Sequence, residues 1–203
     1  MIHQDDNHMK SAKEVFKMPN AVTIKERLSS ITNSFVNGII PVVKPNKEEL
    51  DTAIKILEEN SEDMRCIYCG DPMTEWDHLF PLVEGTRPTG YISEIRNLVP
   101  TCGKCNQSKR NINWKEWMTS SVPQSPQTRK IADLDHRTEL IEKYIEWGNP
   151  KRKHYVFSEI IDNDLWEKYW GNRENIVAAM EESEVAMKEI KKILAEKIVG
   201  NDE

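Results

Sequence analysis

The apolar positions of this chain keep two rhythms. Val22, Ile24, Leu28, Ile31 and Phe35 recur at roughly helical spacing, which predicts a helix on the N-terminal side. Gly38, Pro41 and Pro45 interrupt it. Leu50, Ala53, Ile54 and Leu57 then follow at i, i+3, i+4 and i+7, so residues 47–60 read as an amphipathic helix. Asn46 stands at its N-cap, with Glu49 in the capping-box position. Leu140, Ile141, Tyr144 and Ile145 predict a helix ending near Gly148-Asn149-Pro150. Ile160, Ile161, Leu165, Trp166, Tyr169 and Trp170 form another helical stretch. A last helix, about 173–198, places Ile176, Met180, Met187, Ile190 and Leu194 along one seam, interrupted by Ser183. That seam suits a short coiled-coil dimer or docking on the chain's own core.

In the middle the rhythm changes. "TEWDHLFPL" alternates, with Trp76, His78 and Phe80 on one face and Asp77 and Leu79 on the other, the period of a strand. "RNLVPTC" is a second extended segment. "GKCNQSKRNINWKEWM" reads as a helix whose Asn106, Lys109, Arg110 and Asn113 form one polar, basic stripe. Trp114, Trp117 and Met118 make an apolar patch beyond it. "SSVPQSPQT", with two prolines, marks an exposed connector. The pattern divides the chain into a tail (1–18), an N-terminal helical region (19–62), a small core (63–119), a connector (120–130) and a C-terminal helical region (131–203) suited to DNA recognition or dimerisation. His3 and His8 fall in the tail. The class is α+β, mostly helical.

Composition narrows this. A chain of 203 residues can bury a core without disulfides. It is 38% hydrophobic and 31% charged, which suits a compact centre with solvated helical arms. No run approaches the ~18 apolar residues of a membrane span, and the "MIHQDDNHMK" start has no secretory pattern. A cytoplasmic, bacterial protein is expected. The net charge of −6 argues against non-specific nucleic-acid binding. Its distribution does not. From Ile95 to Lys115 there is no acid but five cations, Arg96, Lys104, Lys109, Arg110 and Lys115. Phosphate contacts need only such local charge. The "KRKH" cluster at 151–154 reads as a solvated turn.

The four cysteines, Cys66, Cys69, Cys102 and Cys105, form two C-x-x-C pairs 32 residues apart, with none left over. A redox motif needs one pair only. Two pairs point to a tetrahedral, closed, structural zinc site. Gly70 and Gly103 sit where each knuckle turns.

Inside the zinc loop lies an Asp-His pair, and an Asn follows the last cysteine. Phosphodiester hydrolysis needs a cation for the developing charge on the leaving oxygen. Mg²⁺ takes hard oxygen ligands and keeps most of its waters, so one carboxylate and one amide suffice. Asp77 and Asn106 meet that requirement, and His78 is the natural general base. Lys109 and Arg110 are placed to hold flanking phosphates, with Lys104 and Asn113 as further DNA contacts.

"WDH", "RNLVP" and "CGKCNQSK" resemble the HNH, or ββα-metal, endonucleases, in the subgroup stapled by two C-x-x-C knuckles, and most of all the HNH proteins of restriction type. The resemblance covers about residues 64–118. It implies a ββα-metal core in which Asp77 binds the catalytic metal, His78 activates water, Asn97 braces the loop that orients the histidine, and Asn106 is the second metal ligand. It implies structural Zn²⁺ and catalytic Mg²⁺, with Mn²⁺ as a substitute. Many members carry Gly after the motif lysine. Here Arg110 stands there, and a helix carries Arg at least as well. The expected function is a restriction-type double-stranded DNA endonuclease, homodimeric because one site per chain cuts one strand. The alternatives are a non-catalytic zinc ribbon that binds nucleic acid or protein, and an HNH nuclease of homing, junction-resolving or modification-dependent type.

Overall fold

The computed structural model describes residues 20–59, 61–149 and 153–199. The expected tail, Asn60 of the second predicted helix, Pro150 and the first two residues of "KRKH" lie outside them. Two compact units divide the chain. One comprises 29–175, the other the described parts of 1–28 and 176–203.

The 29–175 unit starts with α1 (Leu28–Ile39, whose first residue belongs to the other unit) and α2 (Lys47–Ile56). The capping box at α2 is formed: the Asn46 side chain accepts from the Glu49 amide, and the Glu49 carboxylate accepts from the Asn46 amide. β1 (Glu75–His78) pairs antiparallel with β4 (Leu98–Thr101), with Asp77 opposite Val99. Between them a second small hairpin joins β2 (Val83–Glu84) to β3 (Arg87–Pro88). α3 (Gly103–Lys109) follows β4, completing strand, strand and helix. α4 (Trp114–Met118), α5 (Leu134–Gly148), α6 (Phe157–Ile160) and the long α7 (Asn163–Leu194) come after.

Three expectations need correction. The single helix over 103–118 is two, because Arg110 ends α3 at φ +52° and the Asn113 side chain caps α4 through the Lys115 and Glu116 amides. Asn offers its own side chain to the backbone and so favours caps over helix interiors. The helical stretch near 160–170 and the last helix largely merge in α7, which runs through Gly171. Packing overrides the ~1 kcal/mol that an interior glycine costs. The connector is only partly exposed: Ser125 is fully buried and bonds Ser120 O and the Thr128 hydroxyl.

Two apolar clusters hold the unit. The larger surrounds the cysteines and includes Ile67, Tyr68, Leu79, Val99, Trp117, Ile141 and Tyr144. The other gathers Val36, Ile40, Leu82, Val83, Ile92 and Trp170. In the second unit the Ile24 amide donates to Glu184 Oε2 at 2.8 Å and Lys191 Nζ to Val22 O at 3.0 Å. The α7 seam residues Ile176, Ile190 and Leu194 stay exposed. Among the described residues no helix is long and apolar enough to cross a membrane.

Candidate active site

The cysteine knuckles come first, because they set the frame. The Cys69 and Gly70 amides both bond the Cys66 carbonyl, at 3.2 and 2.8 Å, and Gly70 takes φ +78°. The turn therefore requires glycine, and a Cβ there, 2.5 Å from Arg137 Nη2, would also displace that guanidinium. Cys102 precedes α3 and accepts from the Asn106 amide at 3.0 Å. The four sulfurs are buried, lie within 4.8 Å of one another and form no disulfide. Cys69 and Cys102 are 3.7 Å apart, close to the ~3.8 Å edge of a tetrahedron with Zn–S of about 2.3 Å. Hydrogen bonds from Cys105 and Cys69 hold the Cys66 thiol pKa well below its ordinary value, favouring the thiolate that binds metal. The geometry and the donor set fit zinc. Arg129 donates to Cys105 Sγ at 3.4 Å and to Asp71 at 2.7 Å. Arg137 donates to the carbonyls of Cys66 and Ile67.

The strand pleat then sorts β1. Asp77 and Glu75, two residues apart, face α3. Asp77 is buried, accepts from the Tyr68 hydroxyl at 2.7 Å and pairs with Lys109 Nζ at 3.0 Å. Burial raises its pKa, opposed by the Lys109 cation and the Tyr68 hydrogen bond. Burial and the Asp77 charge push Tyr68 well up, so it remains a phenol donor. One turn back on α3, Asn106 Nδ2 donates to Glu75 Oε2 at 2.5 Å. Only the amide nitrogen can donate to a carboxylate, so this bond leaves Asn106 Oδ1 as the free, hard donor.

His78 is half-buried, with Nε2 2.9 Å from Ser93 Oγ. Burial, then the Lys109 cation, lowers it to about 4, so the imidazole is neutral near pH 7. Ser93 is itself held, its amide on Pro41 O and its carbonyl on the Val43 amide. Asn97 is fully buried: Oδ1 accepts from the Phe80 amide, and Nδ2 donates to Phe80 O and Ile92 O. It thus ties the chain just after His78 to the segment before β4. Asp77, His78, Asn106 and Arg110 line one open cleft of about 320 Å³, with Asn33 and Asn37 of α1 on its wall.

The basic stripe is not assembled as the sequence suggested. Lys109 is fully buried on Asp77 and His78 O, so it does not reach a flanking phosphate here. Arg96 is buried between Glu49 and Glu94, and Lys115 pairs with Glu142 at 2.5 Å. Asn113 is the α4 cap. Lys104 and Arg110 remain exposed. Arg110 is not in a helix interior but in the left-handed region, where glycine is favoured. Tyr68, Glu75, Ser93 and Arg129 went unread in the sequence. Glu75 alone had a signal, because the two-residue strand period puts it on the Asp77 face.

Residues 66–111 match the HNH endonuclease family. An alignment over 78 residues, 33% identical, covers 36% of this chain and 6% of the length of "CRISPR-associated endonuclease Cas9" of Corynebacterium diphtheriae. No solved structure matches the chain. The knuckle, the strand pair and the helix after it thus fall within the matched segment: residues 66–111 of this chain are an HNH endonuclease domain.

Proposed function

We propose that the chain is a Mg²⁺-dependent endonuclease of double-stranded DNA. The observation that carries this is the convergence of Asp77, His78 and Asn106 on one open cleft. Asp77 and Asn106 Oδ1 would hold the ion, which supplies Lewis-acid neutralisation of the leaving oxygen. The neutral His78 takes the proton of the attacking water, and Ser93 holds its other ring nitrogen in place. Lys109 and Tyr68 keep Asp77 oriented. Glu75 keeps the Asn106 amide from turning its nitrogen into the cleft. Arg110 and Lys104, both exposed, meet DNA phosphates. The four cysteines hold structural zinc, so that Cys105 fixes Asn106, the next residue in the chain, against β1.

A restriction role in bacterial host defence fits such a chain best, acting as a homodimer through the exposed α7 seam, in the cytoplasm. The arms around the core, 19–62 and 131–203, serve DNA recognition or dimerisation. Plasmid incubated with the protein and Mg²⁺ should be nicked and linearised, and His78→Ala should end this while zinc content stays the same. A His78→Ala protein that cuts at the wild-type rate sinks the reading. One observation favours a non-catalytic zinc module: Asp77 already has Tyr68 and Lys109 as partners. That reading predicts DNA binding indifferent to Mg²⁺ and no cutting with any metal.

A further inference from the structure

We infer that α1, which lies outside the segment matching the HNH family, is a substrate-gripping wall, and that Asn33 and Asn37 hydrogen-bond the nucleotides flanking the scissile phosphate of duplex DNA. The inference rests on the endonuclease reading of the cleft and adds to it a contact surface from a separate helix.

Asn33 and Asn37 lie four residues apart on α1, so their side chains share one face. Both are exposed and line the cleft that holds Asp77, His78, Asn106 and Arg110. Thr32 and Val36, each one residue back on the same helix, are buried, as is Ile40 just past its end. The Thr32 hydroxyl accepts from Arg173 Nη2 at 2.7 Å. The amides are therefore carried on an anchored helix, not on a mobile loop. Their residue type is a poor choice for that helix. Asn gives up as much as ~0.7 kcal/mol against Ala in a helix interior, and neither amide caps an end. A local misfit of this kind is expected where a surface serves binding.

The chemistry of the cleft selects the ligand. Among the described residues Asp77 is the one carboxylate on its lining, against the guanidinium of Arg110 and four amides, those of Asn33, Asn37, Asn106 and Asn111. On a chain of net charge −6 this is a locally neutral surface that both donates and accepts. Such a surface suits sugar-phosphate oxygens and base edges together, since an amide can meet either. A small anion would find one cation there, Arg110, and an apolar ligand would gain nothing from the amides.

The test measures binding apart from cutting. A fluorescent duplex is titrated with the full chain in Ca²⁺, and the same proteins are assayed on plasmid in Mg²⁺. Asn33→Ala/Asn37→Ala should weaken duplex binding by about tenfold or more, the scale of one to two hydrogen bonds to a charged oxygen, and should scatter the cleavage positions. Its melting temperature should not fall, because alanine is the better helix former. Asn37→Asp, which adds repulsion, should weaken binding further and lose that extra effect in high salt. Asn33→Lys/Asn37→Lys should tighten it. Unchanged affinity in the alanine and aspartate variants overturns the inference, as does a wild-type chain that does not bind duplex. If the variants bind more weakly while wild type never cuts, the α1 wall stands and the endonuclease reading falls.

Discussion

The knuckle and the cleft share one strand and one helix, yet they have opposite characters. All four cysteines are buried, and Arg129 and Arg137 close the sulfur of Cys105 and the carbonyls of the first turn. In the cleft His78 is half-buried, and Arg110, Asn33 and Asn37 are exposed. They meet at the Cys105–Asn106 peptide bond and at the Tyr68 hydroxyl, which donates from inside the first knuckle to Asp77. A closed site can fix geometry because nothing must enter it. An open site can exchange ligands because something else fixes it. The most severe break should therefore come from the closed side. Cys105→Ser, or removal of zinc by a chelator, should cost both cutting and the fold of 66–111. The apparent binding energy of a structural zinc, ~10–16 kcal/mol, matches or exceeds the ~5–15 kcal/mol stability of a whole domain. A melting temperature untouched by the chelator would break the contrast.

His78→Ala is the matching lesion on the open side. Cutting should fall by about 10²–10⁴, the usual contribution of a general base, while melting temperature and zinc content stay close to wild type. Lys109 lies between the two sites and should affect both. Lys109→Met leaves Asp77 buried without its cation, which costs about 3–5 kcal/mol when one member of a buried pair is removed. Adding Asp77→Asn should restore part of that stability and none of the activity. The pH profile should move as well. The Lys109 cation lowers both His78 and Asp77. Without it both pKa values rise, so the acid limb of any remaining activity shifts to higher pH. A limb that stays in place would show that burial alone sets His78.

Glu75 calls for a finer test. Glu75→Gln keeps an oxygen that can accept from Asn106, and Glu75→Ala does not. The alanine variant should lose roughly tenfold in Mn²⁺ affinity, read by electron paramagnetic resonance, and the glutamine variant much less. Equal losses would mean that the negative charge, not the orientation of Asn106, is what matters.

The cysteine arithmetic, the strand carrying Asp77 and His78 and the capping box at Asn46 were all legible in the sequence. Each depends on local spacing, and tertiary packing had little power to change it. The fate of the cations was not legible. Lys109 and Arg110 fall side by side on one stripe of a helical wheel, yet Lys109 is fully buried on Asp77, 32 residues away in sequence. Its burial depends on how β1 and α3 approach each other, which no local pattern encodes. The same holds for Ser93 beside His78 and Arg129 beside Cys105, contacts across 15 and 24 residues. The end of α3 escapes the pattern for another reason. Helical spacing alone runs the stripe on to Asn113, while the asparagine side chain offers the backbone a new helix start.

Arg110 gives the smallest effect and the sharpest division between the two regions. It sits at φ +52° and ψ −129° directly after α3, a conformation that glycine adopts freely and a side chain adopts at about 1 kcal/mol or more. It has no role in the knuckle, and its side chain lines the cleft. Arg110→Gly should therefore stabilise the chain by about 1 kcal/mol, a rise of roughly 2–4 °C in melting temperature for a domain of this size. The same change should weaken DNA binding and reduce the slope of log affinity against log salt by about one, the signature of one lost phosphate contact. Opposite signs from one substitution would show that strain at the mouth of the cleft is kept for the charge it presents. A gain in stability with an unchanged salt slope would leave the strain without that purpose. A loss of stability would mean that the guanidinium holds part of the fold, and Arg110 would then belong with the closed region rather than the open one.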